Sequence, residues 1–364
     1  MTAHIALLIY VSLCGVFVYT GGKTKETNKR FLILALLGVF LLEALRKYTV
    51  GADTNNYYFA FWRIKFNTYR RVVAGWEPLY FYMNKCVGMF TNDPQWIIVL
   101  SSLIITCGLG IFIYENVDER QPLFWQIFIF ITFHQYFCTM NLLRQCIAMA
   151  ISCNVYTILR KGKSKKDIIR SILLIIIARY FHTSGLVAIL FFVPFFIEMD
   201  KKKFFFGLIG VIILFFAYPF LFRIFLRLFP RYNMYNRYYE SGGGSNSYLL
   251  FGAIDFFMAL LCILYIDPTD PDNKECYRLL YFVLLSLAML LIQIRNPLMT
   301  RLGYYFQWFI ILFIPEVIRR WTKSAASRFM IKYVLYLGGW LFFIYSMNVG
   351  FVGRSCVPYL FFWQ

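Results

Sequence analysis

The sequence predicts an all-α fold, a polytopic helical membrane protein that forms a single domain over residues 1–364. The chain is 60% hydrophobic and only 15% charged, whereas soluble domains contain about 25% charged residues. Apolar runs of about 15 to 20 residues recur along it, and a helix needs about 20 residues to cross a bilayer core. Only helices and closed barrels satisfy the backbone in lipid, and barrel strands would alternate instead of staying apolar.

These apolar runs predict about twelve transmembrane helices. The first run, 5–19, has no positively charged segment before it, so a membrane span is favoured over a cleaved signal peptide. The other predicted spans are 31–45, 96–114, 122–138, 145–159, 168–178, 184–197, 204–222, 248–266, 279–294, 302–318 and 329–348.

The lysine-rich loops predict the orientation of the chain. They are the segments 21–30, 160–166, 200–203 and 319–328. All four fall on one side only if the short apolar segment 79–90 does not cross, and the positive-inside rule makes that side cytoplasmic. The sequence therefore predicts a long external segment at about 46–95, with a re-entrant or interfacial helix, and an external loop at about 223–247.

The opposite, external face is rich in arginine. We expect thirteen arginines there against three lysines. The arginines are Arg46, Arg63, Arg70, Arg71, Arg144, Arg179, Arg223, Arg227, Arg231, Arg237, Arg295, Arg301 and Arg354. Arginine binds phosphate through two parallel hydrogen bonds and is more weakly hydrated than lysine. The cluster predicts a site for an anionic head group such as a pyrophosphate; the alternative is a set of membrane anchors and ion pairs at helix ends.

Two carboxylates stand out in the external segment. Asp53 follows Gly51, and Glu77 precedes Pro78; they are the only acidic residues between Arg46 and Asn92, against seven basic ones. Such a carboxylate can orient the arginines, or it can take a proton from a sugar hydroxyl as a general base.

Two further stretches place polar groups where apolar helices begin or end. Asn141, Arg144 and Gln145 are spaced i, i+3, i+4 and therefore share one helix face. An ionisable group inside a membrane segment usually faces a cavity or a partner. Arg179 and His182 lie between two apolar runs, and a histidine can exchange a proton near neutral pH or donate a hydrogen bond to phosphate.

Arginines also surround two external connections nearer the C-terminus. Arg295 and Arg301 bracket a short turn, and the loop at about 223–247 interleaves arginines with tyrosines, among them Tyr235 and Arg237. The loop is either an aromatic belt at the membrane surface or a groove in which tyrosines stack on sugar rings.

Taken in order, the motifs resemble those of the EpsG family of bacterial membrane proteins. The stretches are VGADTNNYY, WEPLYFYMNK, NLLRQCIAMAI, RYFHTSGLVAIL, RLGYYFQWFIILFIP and VPYLFFW, and the resemblance extends from about Arg46 to Pro358. One departure is FHTSGL, where the family pattern suggests another small residue at Gly185. The resemblance implies a Wzy-type polysaccharide polymerase with a fold related to the large membrane glycosyltransferases.

This resemblance implies a reaction at the outer face of the bacterial plasma membrane. Oligosaccharide repeat units carried on undecaprenyl diphosphate would be joined into exopolysaccharide, capsule or O-antigen. Expected partners are the lipid-linked oligosaccharide, the bilayer, and chain-length regulator and flippase proteins. Nucleic acid is not expected, because helix-flanking basic residues account for the net charge of +19.

The family resemblance also assigns expected roles to the residues. Arg144, Arg179, Arg295 and Arg301 would bind the diphosphate. Asp53 or Glu77 would activate the acceptor hydroxyl, with His182 as rival or helper. Sugar or lipid contacts are expected from Arg63, Gln145, Tyr235 and Arg237. No acidic metal-binding pair and no cofactor motif stands out, so no metal and no cofactor are expected, and the arginines would supply the electrostatic stabilisation.

Two other classes of protein fit parts of the pattern. A membrane O-acyltransferase that modifies polysaccharide would use His182 as a base, but it would not need external arginines. A lipid-linked oligosaccharide transporter would be expected to show internal repeats and broken helices at the bilayer midplane. The sequence shows no convincing repeat, and its polar groups gather at one face.

Overall fold

The computed structural model describes residues 1–66, 76–230, 233, 236, 246–322, 324–349 and 351–364. Within these residues the fold is helical and contains no strand, apart from one isolated antiparallel bridge between Arg46 and Phe361. The all-α prediction is confirmed for this part of the chain. Backbone contacts divide it into two compact units, Met1–Val193 with Gly338–Gln364, and Pro194–Leu337.

The first unit contains the helices that carry most of the predicted site. They are α1 (Thr2–Tyr19), α2 (Lys25–Ala44), α3 (Thr54–Phe66), α4 (Pro78–Phe90), α5 (Gln95–Asn116), α6 (Phe124–Thr132), α7 (Gln135–Asn141), α8 (Leu143–Lys161), α9 (Lys165–Phe181) and a 3₁₀ helix, Thr183–Phe192. Helix α8 is central, packing between α5 and α9. Gly108 lets the backbone of α5 approach that of α8, since a Cβ at Gly108 would lie 2.8 Å from Ala150 of α8.

The remaining helices belong to the second unit or cross its boundary, except the last one, α17, which belongs to the first unit. They are α10 (Val193–Phe196), α11 (Lys201–Leu228), α12 (Asn246–Tyr265), a short 3₁₀ helix (Pro271–Asn273), α13 (Lys274–Ile292), α14 (Met299–Gln307), α15 (Ile310–Trp321), α16 (Ala325–Asn348) and α17 (Phe351–Arg354). In the second unit α13 packs against α11, α12, α14 and α15. The rings of Phe282 and Phe309 stack there, with centroids 3.7 Å apart.

Several helices have the length and composition of membrane spans. Among the described residues five qualify: Thr2–Tyr19, Gln95–Asn116, Lys201–Leu228, Pro271–Ile292 and Ala325–Asn348. Two shorter apolar helical segments, Thr183–Phe196 and Leu249–Tyr265, accompany them. The pattern is that of a polytopic helical membrane protein, and the total of about twelve transmembrane helices stays a prediction.

Two predicted spans are broken. The span expected at 122–138 is two helices, α6 and α7, because His134 adopts a left-handed backbone conformation (φ 79°) that ends one helix before the next begins. The span expected at 302–318 is likewise divided into α14 and α15. Apolar composition cannot reveal such breaks, since both halves remain buried and hydrophobic.

The segment at about 46–95, which is predicted to be external, contains two described helices where one was expected. Helix α3 begins at Thr54, and α4 begins at Pro78 with Glu77 as its N-terminal flanking residue. Proline is well suited to the first helical position, because that position needs no backbone N–H donor. Helix α4 packs on α3, α5 and α9. This packing brings Glu77 toward the end of α9.

Candidate functional site

Glu77, Arg144 and Thr183 meet at one point in the first unit. The Arg144 guanidinium forms an ion pair with one carboxylate oxygen of Glu77. The other oxygen accepts the backbone N–H of Thr183 at 3.1 Å and lies 3.4 Å from the Thr183 hydroxyl. Three segments far apart in sequence, at the starts of α4, α8 and the 3₁₀ helix, therefore form one polar cluster. We call these three residues the Arg144 cluster.

Aromatic rings surround the guanidinium. Its central carbon lies 4.4 Å from the ring centroid of Trp76 and 5.9 Å from those of Tyr57 and Tyr80. Trp76 and Tyr80 are themselves stacked, with an interplanar angle of 24°. A cation over an aromatic face is attracted by the ring quadrupole. The rings therefore hold Arg144 in place and shield it partly from water.

His182 and Arg179 lie beside the Arg144 cluster in the chain. His182 precedes Thr183, and its Nδ1 accepts the backbone N–H of Ser184 at 3.3 Å and lies 2.6 Å from the Ser184 hydroxyl. Because Nδ1 accepts this hydrogen bond, a neutral His182 ring carries its single N–H proton on Nε2. Arg179, in the last turn of α9, is half-buried and forms no hydrogen bond or ion pair within the described part of the chain.

Gly185 allows the tight turn between the end of α9 and the 3₁₀ helix that begins with Thr183. A Cβ on Gly185 would lie 2.6 Å from the Ala178 carbonyl carbon and 2.8 Å from the Arg179 nitrogen. Only a residue without a side chain lets the 3₁₀ helix turn back so closely on the end of α9. This contact accounts for the glycine in FHTSGL, where the family pattern suggested another small residue.

A second polar group fixes the turn that leads into Arg144. Arg46 is fully buried and donates to the carbonyls of Glu43 and Met140, while the Thr139 hydroxyl donates to the Glu43 carboxylate. Thr54 also donates to the Met140 carbonyl, at 3.0 Å. Arg46 and Glu43 thus join the end of α2 to the end of α7. Arg46 was expected among the external arginines, and the structure gives it this buried role.

Asn141 ties the same turn to two other segments. Its side-chain oxygen accepts the backbone N–H of Ala52 and the Ser355 hydroxyl, at 2.5 and 3.0 Å. Asp53 is half-buried. It directly follows Ala52, whose backbone N–H is bonded to the end of α7. Asp53, one of the two carboxylates predicted as the base, therefore lies on a turn that is hydrogen-bonded to Asn141, a near neighbour of Arg144 in the sequence.

The other predicted contact residues are placed differently. Gln145 is buried in α8, with its amide 3.9 Å from the Met149 sulfur, and Arg63 is exposed in the last turn of α3. Tyr235 and Arg237 lie outside the described residues.

Arg295 and Arg301 belong to the second unit, where they flank the turn between α13 and α14. The Arg295 guanidinium lies 4.4 Å from the ring centroid of Phe215. Next to it, Asn296 donates to the Tyr218 hydroxyl at 2.8 Å. Arg301 is exposed in the first turns of α14. The turn is therefore held against α11 by these contacts of Arg295 and Asn296.

The structure adds residues that the sequence did not indicate. Trp76 and Thr183 lie inside the motifs WEPLYFYMNK and RYFHTSGLVAIL, but neither was given a role, and Glu43 lies in no motif. Among the described residues, no three His, Cys, Asp or Glu side chains lie close enough together to hold a metal ion.

The fold and this site define a class: a polytopic helical membrane protein with an arginine-containing polar cluster at the ends of several helices. The family model of the EpsG family matches residues 29–361. The chain therefore belongs to the EpsG family, whose members are polysaccharide polymerase-type membrane proteins. No curated protein and no solved structure matched the chain.

Proposed function

We propose that the protein polymerises oligosaccharide repeat units carried on undecaprenyl diphosphate, at the outer face of the bacterial plasma membrane. The observation that carries the proposal is the Arg144 cluster, in which Arg144, Glu77 and Thr183 converge from three separate motifs. Membership of the EpsG family supports the general activity. The product would be an exopolysaccharide, a capsule or an O-antigen.

The arginines would stabilise the leaving group. Transfer of a sugar chain breaks the bond to the lipid diphosphate, so negative charge develops on the diphosphate oxygens. Preorganised donors in a partly dry site stabilise such charge best. Arg144 has this preorganisation, because its guanidinium is held over the Trp76 ring. Arg179 remains a proposed ligand of this diphosphate, and Arg295 and Arg301, which belong to the second unit, remain proposed ligands for a diphosphate.

The acceptor hydroxyl needs a base. Asp53 and Glu77 are the proposed candidates, since a carboxylate within hydrogen-bonding distance can take the hydroxyl proton as the new glycosidic bond forms. His182 fits a different role: with Nδ1 accepting from Ser184, its Nε2–H is a donor suited to a phosphate oxygen. We propose that no metal takes part.

Deletion of the gene tests the proposed reaction. A polymerase mutant is expected to accumulate single lipid-linked repeat units exposed outside the cell, which labelling of intact cells would detect. Units trapped inside would instead indicate a transporter. Loss of acyl groups with normal chain length would indicate an acyltransferase. Either of these results would overturn the proposal.

Arg144→Lys tests the site. Lysine keeps the charge but loses the planar, two-pronged group, so we expect polymer yield to fall about 10- to 100-fold at equal protein level. Arg30→Lys is the matched control, because Arg30 forms an exposed ion pair with Glu26. Equal yields from both variants would contradict the assignment of Arg144 to the site.

A further inference from the structure

The Glu77 carboxylate occupies a set of donors that is suited to a phosphoryl group. A guanidinium binds one of its oxygens, and a backbone N–H and a hydroxyl of Thr183 face the other. Thr183 begins a 3₁₀ helix of ten residues. Guanidinium groups and backbone N–H groups at helix starts are the donors that proteins commonly use for phosphate oxygens.

Glu77 does not have the role that its position in the chain would suggest. It flanks the start of α4, where a carboxylate commonly accepts a backbone N–H of its own helix, but its side chain makes no such bond. Its oxygens bind Arg144 and Thr183, two residues of other segments. The carboxylate is therefore not needed to cap α4, and it can leave its partners without exposing that helix end.

Arg144 has donor capacity that Glu77 does not use. Its Nε is buried and has no hydrogen-bond partner among the described residues. The Trp76 ring, 4.4 Å from the guanidinium, would keep Arg144 in place if Glu77 left. A ligand can also reach the pair, because the side chains of Arg144 and Glu77 have 20% and 13% of their surface exposed to solvent. The two phosphoryl groups of a sugar-linked lipid diphosphate carry four free oxygens between them, so they could satisfy more of these donors than one carboxylate.

We propose that Glu77 is an internal substitute for the ligand's phosphate: a phosphoryl group of the lipid diphosphate displaces it from Arg144 and Thr183. Glu77 thus keeps the anion site closed until an anionic ligand arrives. Displacement also frees the carboxylate beside the newly bound diphosphate, where a base is needed. This inference rests on the proposed function, and it adds Thr183 to the groups that bind the diphosphate.

Binding of inorganic pyrophosphate to the purified full-length protein in detergent tests this proposal. Titration calorimetry would compare wild type with Glu77→Gln, which removes the competing charge. We expect about 10-fold tighter binding by the variant, which corresponds to about 1.4 kcal/mol. Arg144→Lys should bind more weakly than wild type. Glu115→Gln is the matched control, because Glu115 pairs with Lys161 at the other end of α8 and should leave the affinity unchanged.

A second variant covers the case in which Glu77→Gln does not fold. Glu77→Asp shortens the carboxylate, so it cannot span Arg144 and Thr183 together, and it too should bind pyrophosphate more tightly. Unchanged or weaker binding by these variants, or no binding by any of them, would overturn the inference. The proposed polymerase reaction would survive that result if gene deletion still left single repeat units outside the cell.

Discussion

At the scale of single residues, Arg144 is held by contacts of different kinds. It forms an ion pair with Glu77 and lies over the Trp76 ring. Cation–π contacts contribute about 0.5 to 2 kcal/mol, depending on how far the cation is removed from water. A guanidinium held over an aromatic ring loses little freedom when it binds a ligand, which suits a group that must stabilise charge in a transition state.

Gly185→Ala is expected to destabilise the protein by about 1–3 kcal/mol. The new methyl group would lie within 3 Å of three backbone atoms of Ala178 and Arg179, which cannot rotate away. Thermal unfolding in detergent would measure the loss. Gly210→Ala in α11 is the control, because a Cβ there has nothing within 4 Å and alanine favours the helix. An equal melting temperature for Gly185→Ala and wild type would contradict the close backbone contact.

At the scale of elements, the turn between α7 and α8 is braced from several directions. Arg46 and Thr54 bind its Met140 carbonyl, and Asn141 binds the segments at Ala52 and Ser355. The C-terminal segment adds backbone bonds, from Lys47 to the Leu360 carbonyl and from Phe362 to the Leu45 carbonyl. This bracing sets the direction in which α8 begins, and hence where Arg144 points.

Arg46→Met is expected to lower the free energy of unfolding by about 2–4 kcal/mol, because it removes the hydrogen bonds from the buried guanidinium to the Glu43 and Met140 carbonyls. It also removes positive charge that acts on the buried Glu43 side chain. Adding Glu43→Gln should recover part of the loss. Size-exclusion profiles after heating would measure both effects. Arg30→Met breaks an exposed pair and should cost less than about 1 kcal/mol. A loss no larger than that of Arg30→Met would show that the contacts of the buried Arg46 contribute little.

At the scale of the whole molecule, α8 connects two chemically different ends of the first unit. Arg144 lies at its start, and Arg160 and Lys161 lie in its last turn, beside Glu115. Nineteen residues of α-helix are about 28 Å long, close to the thickness of about 30 Å of a bilayer core. The length of α8 is therefore compatible with the prediction from the charge distribution that the Arg144 cluster and the lysine-rich end lie at opposite membrane surfaces.

Cysteine labelling tests this orientation. In a variant with Cys86, Cys107 and Cys14 replaced by serine, Asn92→Cys should react with an impermeant maleimide in intact cells. Lys163→Cys should react only after the membrane is permeabilised, because the lysine-rich loops are predicted to be cytoplasmic. The opposite labelling pattern would place the Arg144 cluster at the inner surface and contradict an outward-facing reaction.

The sequence by itself determined the class of protein and the outlines of its helices. Apolar runs long enough to cross a bilayer locate helices because each span must satisfy its own backbone bonds in lipid. The predicted run at 96–114, for example, corresponds to α5, Gln95–Asn116. The ordered motifs identified the EpsG family, and the family match confirms it.

Only the tertiary structure decided which side chains meet. Glu77, Arg144 and Thr183 are separated by 67 and 39 positions in the sequence, and no local periodicity specifies that they touch. The break at His134 was equally hidden, because a buried apolar run has the same composition whether or not it bends. Contacts between distant segments depend on how helices pack, and packing is set by the shapes of many side chains together.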